Sequence, residues 1–157
     1  MKKIFRLEPQ RIRFNTPGAI NIVYQCTPIA KFFIYHCGKG AANKHVPTFL
    51  FEAPLKYFRE FFKGYLGGDG YIYKNKNRKG KGEVTSISKQ LILELNWLFR
   101  MHGFKSYIYS FRAKEGRRIN GGKPLPQTLT WRLGFGKTQN PLNDLDIRMK
   151  GSVSRPI

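Results

Sequence analysis

The sequence predicts an α+β fold, and three observations carry that prediction. Residues 55–66 set Leu55, Phe58, Phe61, Phe62, Tyr65 and Leu66 at helical spacing and run into a glycine cluster. Residues 105–113 and 128–135 alternate with the two-residue period of half-buried strands. From residue 55 onward the elements follow in the order helix, two strands, helix, two strands.

The preceding stretch is read as follows. Residues 1–20 are basic and irregular, with Arg11, Arg13 and the turn pair Pro17-Gly18. Ala19 to Gln25 reads as a short strand through Ile20, Ile22, Val23 and Tyr24. Thr27-Pro28 opens a helix, threonine as cap and proline in the first turn, that runs through Ile29, Phe32, Phe33 and Tyr35 to Gly38. A polar loop to Val46 follows, and Pro47 leads through Phe49-Leu50-Phe51 to Pro54, which suits a helix start.

After Gly70, Tyr71 to Tyr73 reads as a strand, Lys74 to Gly82 as a basic loop and Glu83 to Ile87 as the returning strand. Ser88 caps the next helix, with Ile87 and Ile92 forming a staple. Leu91, Leu95, Trp97, Leu98 and Phe99 are expected in its core, and Gly103 ends it with a positive φ. In the strand 105–113, Tyr107, Tyr109 and Phe111 alternate with Ile108, Ser110 and Arg112. A long basic hairpin, Lys114 to Gln127, joins it to a strand that sends Leu129, Trp131, Leu133 and Phe135 one way and Thr128, Thr130 and Arg132 the other. Three segments result: 1–54, 55–137, and a tail 138–157 with a weak helix over 142–149.

Composition narrows the function. The 157 residues suffice for one domain with a real core, and 41% hydrophobic with 15% aromatic content argues for a folded globule. A net charge of +20, from 29 Lys and Arg against 9 Asp and Glu, calls for a polyanionic partner, with nucleic acid first. A membrane surface is disfavoured, since the basic residues sit in loops and strands rather than on an amphipathic helix. Cys26 and Cys37 form no CxxC, so neither a disulfide framework nor zinc spacing is present. Cys37 beside His36 and His45 reads as a partly buried thiol rather than a metal site. The N-terminus has no apolar signal region, and the whole fits an intracellular, reducing compartment, a mitochondrion or chloroplast included.

The glycines at the end of the first long helix need a reason, because each costs roughly 1 kcal/mol against alanine inside a helix. Gly64 and Gly68 lie four apart on one face, where small residues let another backbone approach closely. Asp69 then stands at the edge of that contact, just outside the helix.

Phe62-Lys63-Gly64-Tyr65-Leu66-Gly67-Gly68-Asp69-Gly70 resembles the signature motif of the LAGLIDADG homing endonucleases, encoded within introns and inteins. Gly64, the pair Tyr65 and Leu66, Asp69 and Gly70 match; Gly67 stands where the family usually has an acidic or polar residue. The resemblance covers residues 19–137 and implies an αββαββ(α) repeat whose four antiparallel strands form a curved saddle on double-stranded DNA. Residues 19–54 resemble the junction that precedes a second repeat, so that the chain begins late in a first repeat and carries no first motif.

The resemblance implies the following roles. Asp69, with the Gly68 carbonyl, binds Mg2+ or another divalent cation, and Lys137 after the last strand stands near the reaction centre. Since a hard divalent ion takes six or more oxygens, one carboxylate is too few. Two motif helices would meet through Gly64, Gly67 and Gly68, either in a homodimer or with a missing first repeat. Lys74, Lys76, Arg78, Lys79 and Lys81 in one hairpin and Arg117, Arg118 and Lys123 in the other would grip phosphate and further bases, with Lys114 near the end of the DNA-facing sheet surface. Arg112, Thr128, Thr130 and Arg132 would line the face toward the major groove. Thr85 and Ser86 are candidates to position water. The expected activity is metal-dependent cleavage of DNA at a long specific site; the alternative is a non-cleaving binder, an intron RNA maturase or a decayed half-enzyme. A structural RNA-binding protein would match the charge but leaves the glycine motif without a role.

Overall fold

The computed structural model describes residues 5–16, 19–73, 81–112, 127–136 and 141. The chain forms two compact units, Met1–Tyr35 and His36–Ile157.

In the first unit, strand β1 (Arg11–Thr16) pairs antiparallel with β2 (Ala19–Val23), Ile12 opposite Ile22 and Arg13 opposite Asn21. The expectation of an irregular residue 1–20 segment is corrected here. Arg11 and Arg13 hid the strand because they occupy the alternate positions around Ile12, and the pairing itself supplies the missing signal. Helix α1 (Thr27–Cys37) follows. It begins one residue earlier than a Thr27 cap requires: the Ala30 N–H bonds to the Cys26 carbonyl at 3.0 Å. Pro28 thus falls in the first turn, where its missing N–H costs nothing. Phe5 meets Phe33 edge-on at 6.4 Å.

Gly38 takes φ +79° just past α1, and a Cβ there would collide with the Asn43 carbonyl. The loop that follows is tied down at three points. His45 N–H bonds back to the Cys37 carbonyl, Val46 N–H to Glu94 Oε2 at 2.7 Å, and the Lys44 carbonyl accepts from the Ser88 hydroxyl at 2.6 Å. A short 3-10 turn (Thr48–Phe51) then leads into helix α2 (Leu55–Asp69).

Phe58, Phe62 and Leu66 of α2 are buried, on the stripe the sequence predicts. The helix runs through all three glycines, so Asp69 is its last residue rather than a residue beyond it. Gly70 closes the end by donating its N–H to the Leu66 carbonyl. Strands β3 (Gly70–Ile72) and β4 (Gly82–Ser86) come next. Ser88 caps α3 (Lys89–Met101) as expected, its hydroxyl accepting from the Leu91 N–H. Gly103, at φ +77°, lies just past that helix. Strands β5 (Ser106–Arg112) and β6 (Leu129–Phe135) complete an antiparallel sheet of order β3-β4-β6-β5. Two helices, α2 and α3, and four antiparallel strands confirm the α+β class and the order read from the sequence.

The core is aromatic. Phe62 lies 4.9 Å from Phe99 and 5.5 Å from Phe135, both edge-on, and Phe58 packs on Phe62 and Phe99. Leu91, Leu95, Leu98 and Phe99 are buried on α3, but Trp97 is 64% exposed and its place in the core is corrected. It sits on the opposite side of the helix from Leu91, Leu95 and Leu98, and meets only the edge of Phe51, at 6.2 Å, among the described aromatic rings. No described helix is long and apolar enough to cross a membrane. The weak helix expected over 142–149 lies outside the described residues.

Candidate nucleic-acid and cation site

Sheet register decides which side chains share a face, because directly opposed residues of antiparallel strands point the same way. Val84, Leu133 and Ile108 form one row of the helix-covered face. The opposite face carries Tyr71 and Tyr73 from the β3 end, Glu83 and Thr85 from β4, Thr130 and Arg132 from β6, and Tyr107, Tyr109 and Phe111 from β5. Arg132 therefore stands on the open face as expected, whereas Arg112 does not. It opposes Leu129 and belongs to the helix side, at the exposed end of the sheet. Thr130 is on the open face yet only 8% exposed, its hydroxyl turned to the Thr128 carbonyl. Lys81 is exposed at the start of β4, and its carbonyl accepts from Tyr73 N–H.

A network that residue types alone did not indicate crosses this face. Glu83 accepts from Arg132 at 3.0 Å, from the Tyr109 hydroxyl at 2.8 Å and from the Tyr73 hydroxyl at 2.9 Å. The Arg132 guanidinium also lies 4.2 Å above the centre of the Phe111 ring. Partial burial pushes the Tyr109 hydroxyl up, with Glu83 adding to the shift and Arg132 opposing it. For Arg132 burial works against the charge, but the Tyr109 hydroxyl and Glu83 outweigh it and raise its pKa. One signal was available: a glutamate on the polar side of a strand, in a chain with few acids.

Asp69 opens onto a cleft of about 300 Å³ lined also by Lys44, Thr85, Ser86 and Thr130. The Lys44 ammonium stands 3.4 Å from the Asp69 carboxylate, both about half exposed. Behind it, the Tyr65 hydroxyl donates to the Thr85 carbonyl at 3.1 Å. Tyr65 is pushed up to about 12, by burial first and by the Asp69 charge second, with Ser86 opposing. Thr85 and Ser86 thus do come together with Asp69. Lys44 was missed, and a single lysine in a polar loop 25 residues before the aspartate gives no sequence signal.

Gly64, Gly67 and Gly68 have open space around them: nothing described lies within 4 Å of a Cβ built on any of them. The glycine stripe therefore serves no helix contact among the described residues. Tyr57 and Phe61 continue it toward the start of α2, beside an apolar cavity of about 420 Å³ that also involves Phe49 and Leu50. Along the stripe Tyr57, Phe61, Gly64, Gly68, Phe61 packs against the core and Lys56 stands over the Tyr57 ring, while the glycines have open space among the described residues.

Among the described residues the donors for a divalent cation at Asp69 are few. Asp69 is a single carboxylate with an ammonium beside it, and no three of His, Cys, Asp and Glu come together among the described residues. Cys37 is half-buried, which pushes its thiol pKa up, as expected of a structural cysteine. Lys137, Lys74, Lys76, Arg78, Lys79, Lys114, Arg117, Arg118 and Lys123 lie outside the described residues.

Residues 56–130 match the family model of the LAGLIDADG-like domain. The chain is 36% identical over 80 residues to a probable translation initiation factor IF-2 of Methanocaldococcus jannaschii, covering 51% of this chain and 7% of that protein. It is 37% identical over 60 residues to a DNA polymerase of Thermococcus kodakarensis, covering 38% of this chain and 4% of that protein. A replication factor C small subunit of Methanocaldococcus jannaschii shares 31% identity over 77 residues, 49% of this chain and 4% of that protein. The chain therefore spans only a small part of the curated relatives it matches.

Proposed function

With residues 56–130 belonging to the LAGLIDADG-like domain family, we propose that this chain is the DNA-cutting repeat of an intron- or intein-encoded endonuclease. It acts on double-stranded DNA, in magnesium, with a second copy or a second repeat. The single observation that carries this reading is Asp69 at the end of α2, opening onto a cleft with Lys44, Thr85, Ser86 and Thr130, at the end of a glycine stripe on which nothing among the described residues packs.

The pieces support one another. A second α2 laid on Tyr57, Phe61, Gly64 and Gly68 would bring a second Asp69 to the same axis and double the donor set. A divalent cation held there would neutralise phosphate charge and acidify a bound water. This chain's own residues do the rest. Lys44 balances Asp69 until phosphate arrives, and its ammonium is then within reach of that phosphate. Thr85 and Ser86 line the cleft and would position water there. The basic segments 74–81 and 114–123 supply phosphate contacts. The relatives favour a mobile element: a translation factor, a polymerase and a replication factor share no activity by name, yet each matches over 4–7% of its length. A short module inserted into different hosts accounts for that pattern.

One observation favours a non-cleaving binder, an intron RNA maturase or decayed half: the lone carboxylate, with Gly67 in place of the family's polar residue. Cleavage of an uninterrupted host allele in magnesium, by wild type, Asp69→Asn and Lys44→Ala, decides between the two. Cutting by wild type, its loss in Asp69→Asn and a marked slowing in Lys44→Ala are expected. Tight binding without cutting by any of the three would replace the endonuclease reading with the binder.

A further inference from the structure

An ion pair stands at the centre of the open sheet face. Glu83 on β4 and Arg132 on β6 lie on the two inner strands of the order β3-β4-β6-β5. Arg132 Nη1 donates to the Glu83 carboxylate at 3.0 Å and to the Tyr109 hydroxyl at 3.3 Å. The guanidinium also lies 4.2 Å from the centre of the Phe111 ring and 5.8 Å from that of Tyr109. Glu83 is fixed in turn by the Tyr73 and Tyr109 hydroxyls, at 2.9 and 2.8 Å. Arg132 Nε is buried without a partner, while the side chain as a whole is 30% exposed and Nη2 makes no hydrogen bond among the described residues. The two N–H groups of Nη2 are what Arg132 offers to a molecule lying on the face.

Tyr71 and Tyr107, 54% and 56% exposed, and Thr85 carry further hydroxyls there. A hydroxyl both donates and accepts, so it suits many base edges, whereas a guanidinium only donates. The charge of the pair decides between phosphate and base. A guanidinium beside a carboxylate carries almost no net charge and gains little from a phosphate, yet its N–H groups keep their direction. Base edges in the major groove are neutral and are read by such groups. Guanine sets two acceptors, N7 and O6, side by side. Adenine places a donor amine beside N7, cytosine presents a donor amine, and thymine has one acceptor beside a methyl group. Two donors without an acceptor match guanine.

We infer that Glu83 is a positioning residue for DNA specificity, holding Arg132 so that its free donors select guanine at one position of the target. This role rests on the action on duplex DNA proposed for the chain, and concerns which duplex is chosen rather than how it is cut.

A pool of randomised duplexes is offered to the full chain without added divalent cation, and the bound fraction is sequenced. Wild type is expected to select guanine at one position, and to bind that duplex about 5- to 150-fold more tightly than its copy with adenine there. Glu83→Gln, which releases the guanidinium, should shrink that ratio by about threefold or more. Glu83→Gln combined with Arg132→Met removes the pair without leaving a lone charge. It should abolish the ratio and bind the adenine duplex within about twofold of wild type, with the slope of log K against log salt unchanged. Circular dichroism verifies the fold of both variants. Equal loss of affinity for both duplexes would mark the pair as structural and overturn the assignment, as would a guanine preference that survives in the combined variant. A slope smaller by about one would give Arg132 to a phosphate instead. No enrichment of any duplex by wild type would overturn the duplex-DNA reading itself, whereas enrichment indifferent to Arg132 overturns only the role given to Glu83, so the two fail separately.

Discussion

Replacing Ser88 by alanine removes two hydrogen bonds at one fully buried point. The hydroxyl accepts from the Leu91 N–H as the cap of α3, and donates to the Lys44 carbonyl at 2.6 Å. Loss of a cap costs about 1 kcal/mol. Leaving a carbonyl of the Lys44 loop unpaired adds roughly 1–3 kcal/mol. Together Ser88→Ala should lower stability by about 2–4 kcal/mol, shifting the urea midpoint down by roughly 1–3 M. Trp97 and Trp131 lie in the same unit as Ser88, and their fluorescence follows its unfolding. Ser88→Gly, a tolerable cap without the hydroxyl, should recover part of the loss and leave the Lys44 share in place. Amide exchange should rise at His45 and Val46 in both variants, because one of the three bonds that tie their loop is gone. A loss below about 1 kcal/mol, with exchange unchanged, would refute the claim that one hydroxyl joins α3 to the loop carrying Lys44.

Two further outcomes follow from the same geometry. Gly64→Leu should abolish self-association and cleavage with the monomer's stability unchanged or slightly raised, since open space surrounds Gly64 and leucine is the better helix former; sedimentation of wild type and variant measures this, and an intact dimer in the variant would refute it. His102 stacks on Phe58 at 5.5 Å, and burial lowers its pKa below the ordinary 6.5. The unfolded chain then binds the proton more readily, so this contribution is present above about pH 6.5 and is lost as pH falls through the lowered value. Urea midpoints at about pH 5 and about pH 7.5 should differ less in His102→Phe than in wild type, and an equal difference would refute the assignment.

How much of this was legible depended on which physical signal each element carries. The α2 stripe, the Ser88 cap and the positive φ at Gly103 are local, and the structure has all three. The strand at Arg11–Thr16 was not legible because its support comes from β2, not from its own pattern. On β5 both alternating sets include apolar or aromatic residues, so the period marks the strand without saying which set is inside. Only the register with β6 decides: Ile108 opposes the buried Leu133, and the tyrosines go outward. That same parity takes Arg112 away from Arg132. Asp69 was legible from its motif, while Lys44 was not, since a fold brings the two together across 25 residues.

Glu83 is the residue on which the chemistry of the open face turns. In a chain with 29 basic residues and 9 acidic ones, a carboxylate in the middle of the open sheet face needs a reason. Its three donors give one. With Glu83 in place, Arg132 is held over the Phe111 ring and the Tyr73 and Tyr109 hydroxyls donate to the carboxylate. Without it, the half-buried guanidinium would lose its carboxylate partner. The carboxylate fixes the Tyr73 and Tyr109 hydroxyls in orientation and offsets the Arg132 charge on the sheet.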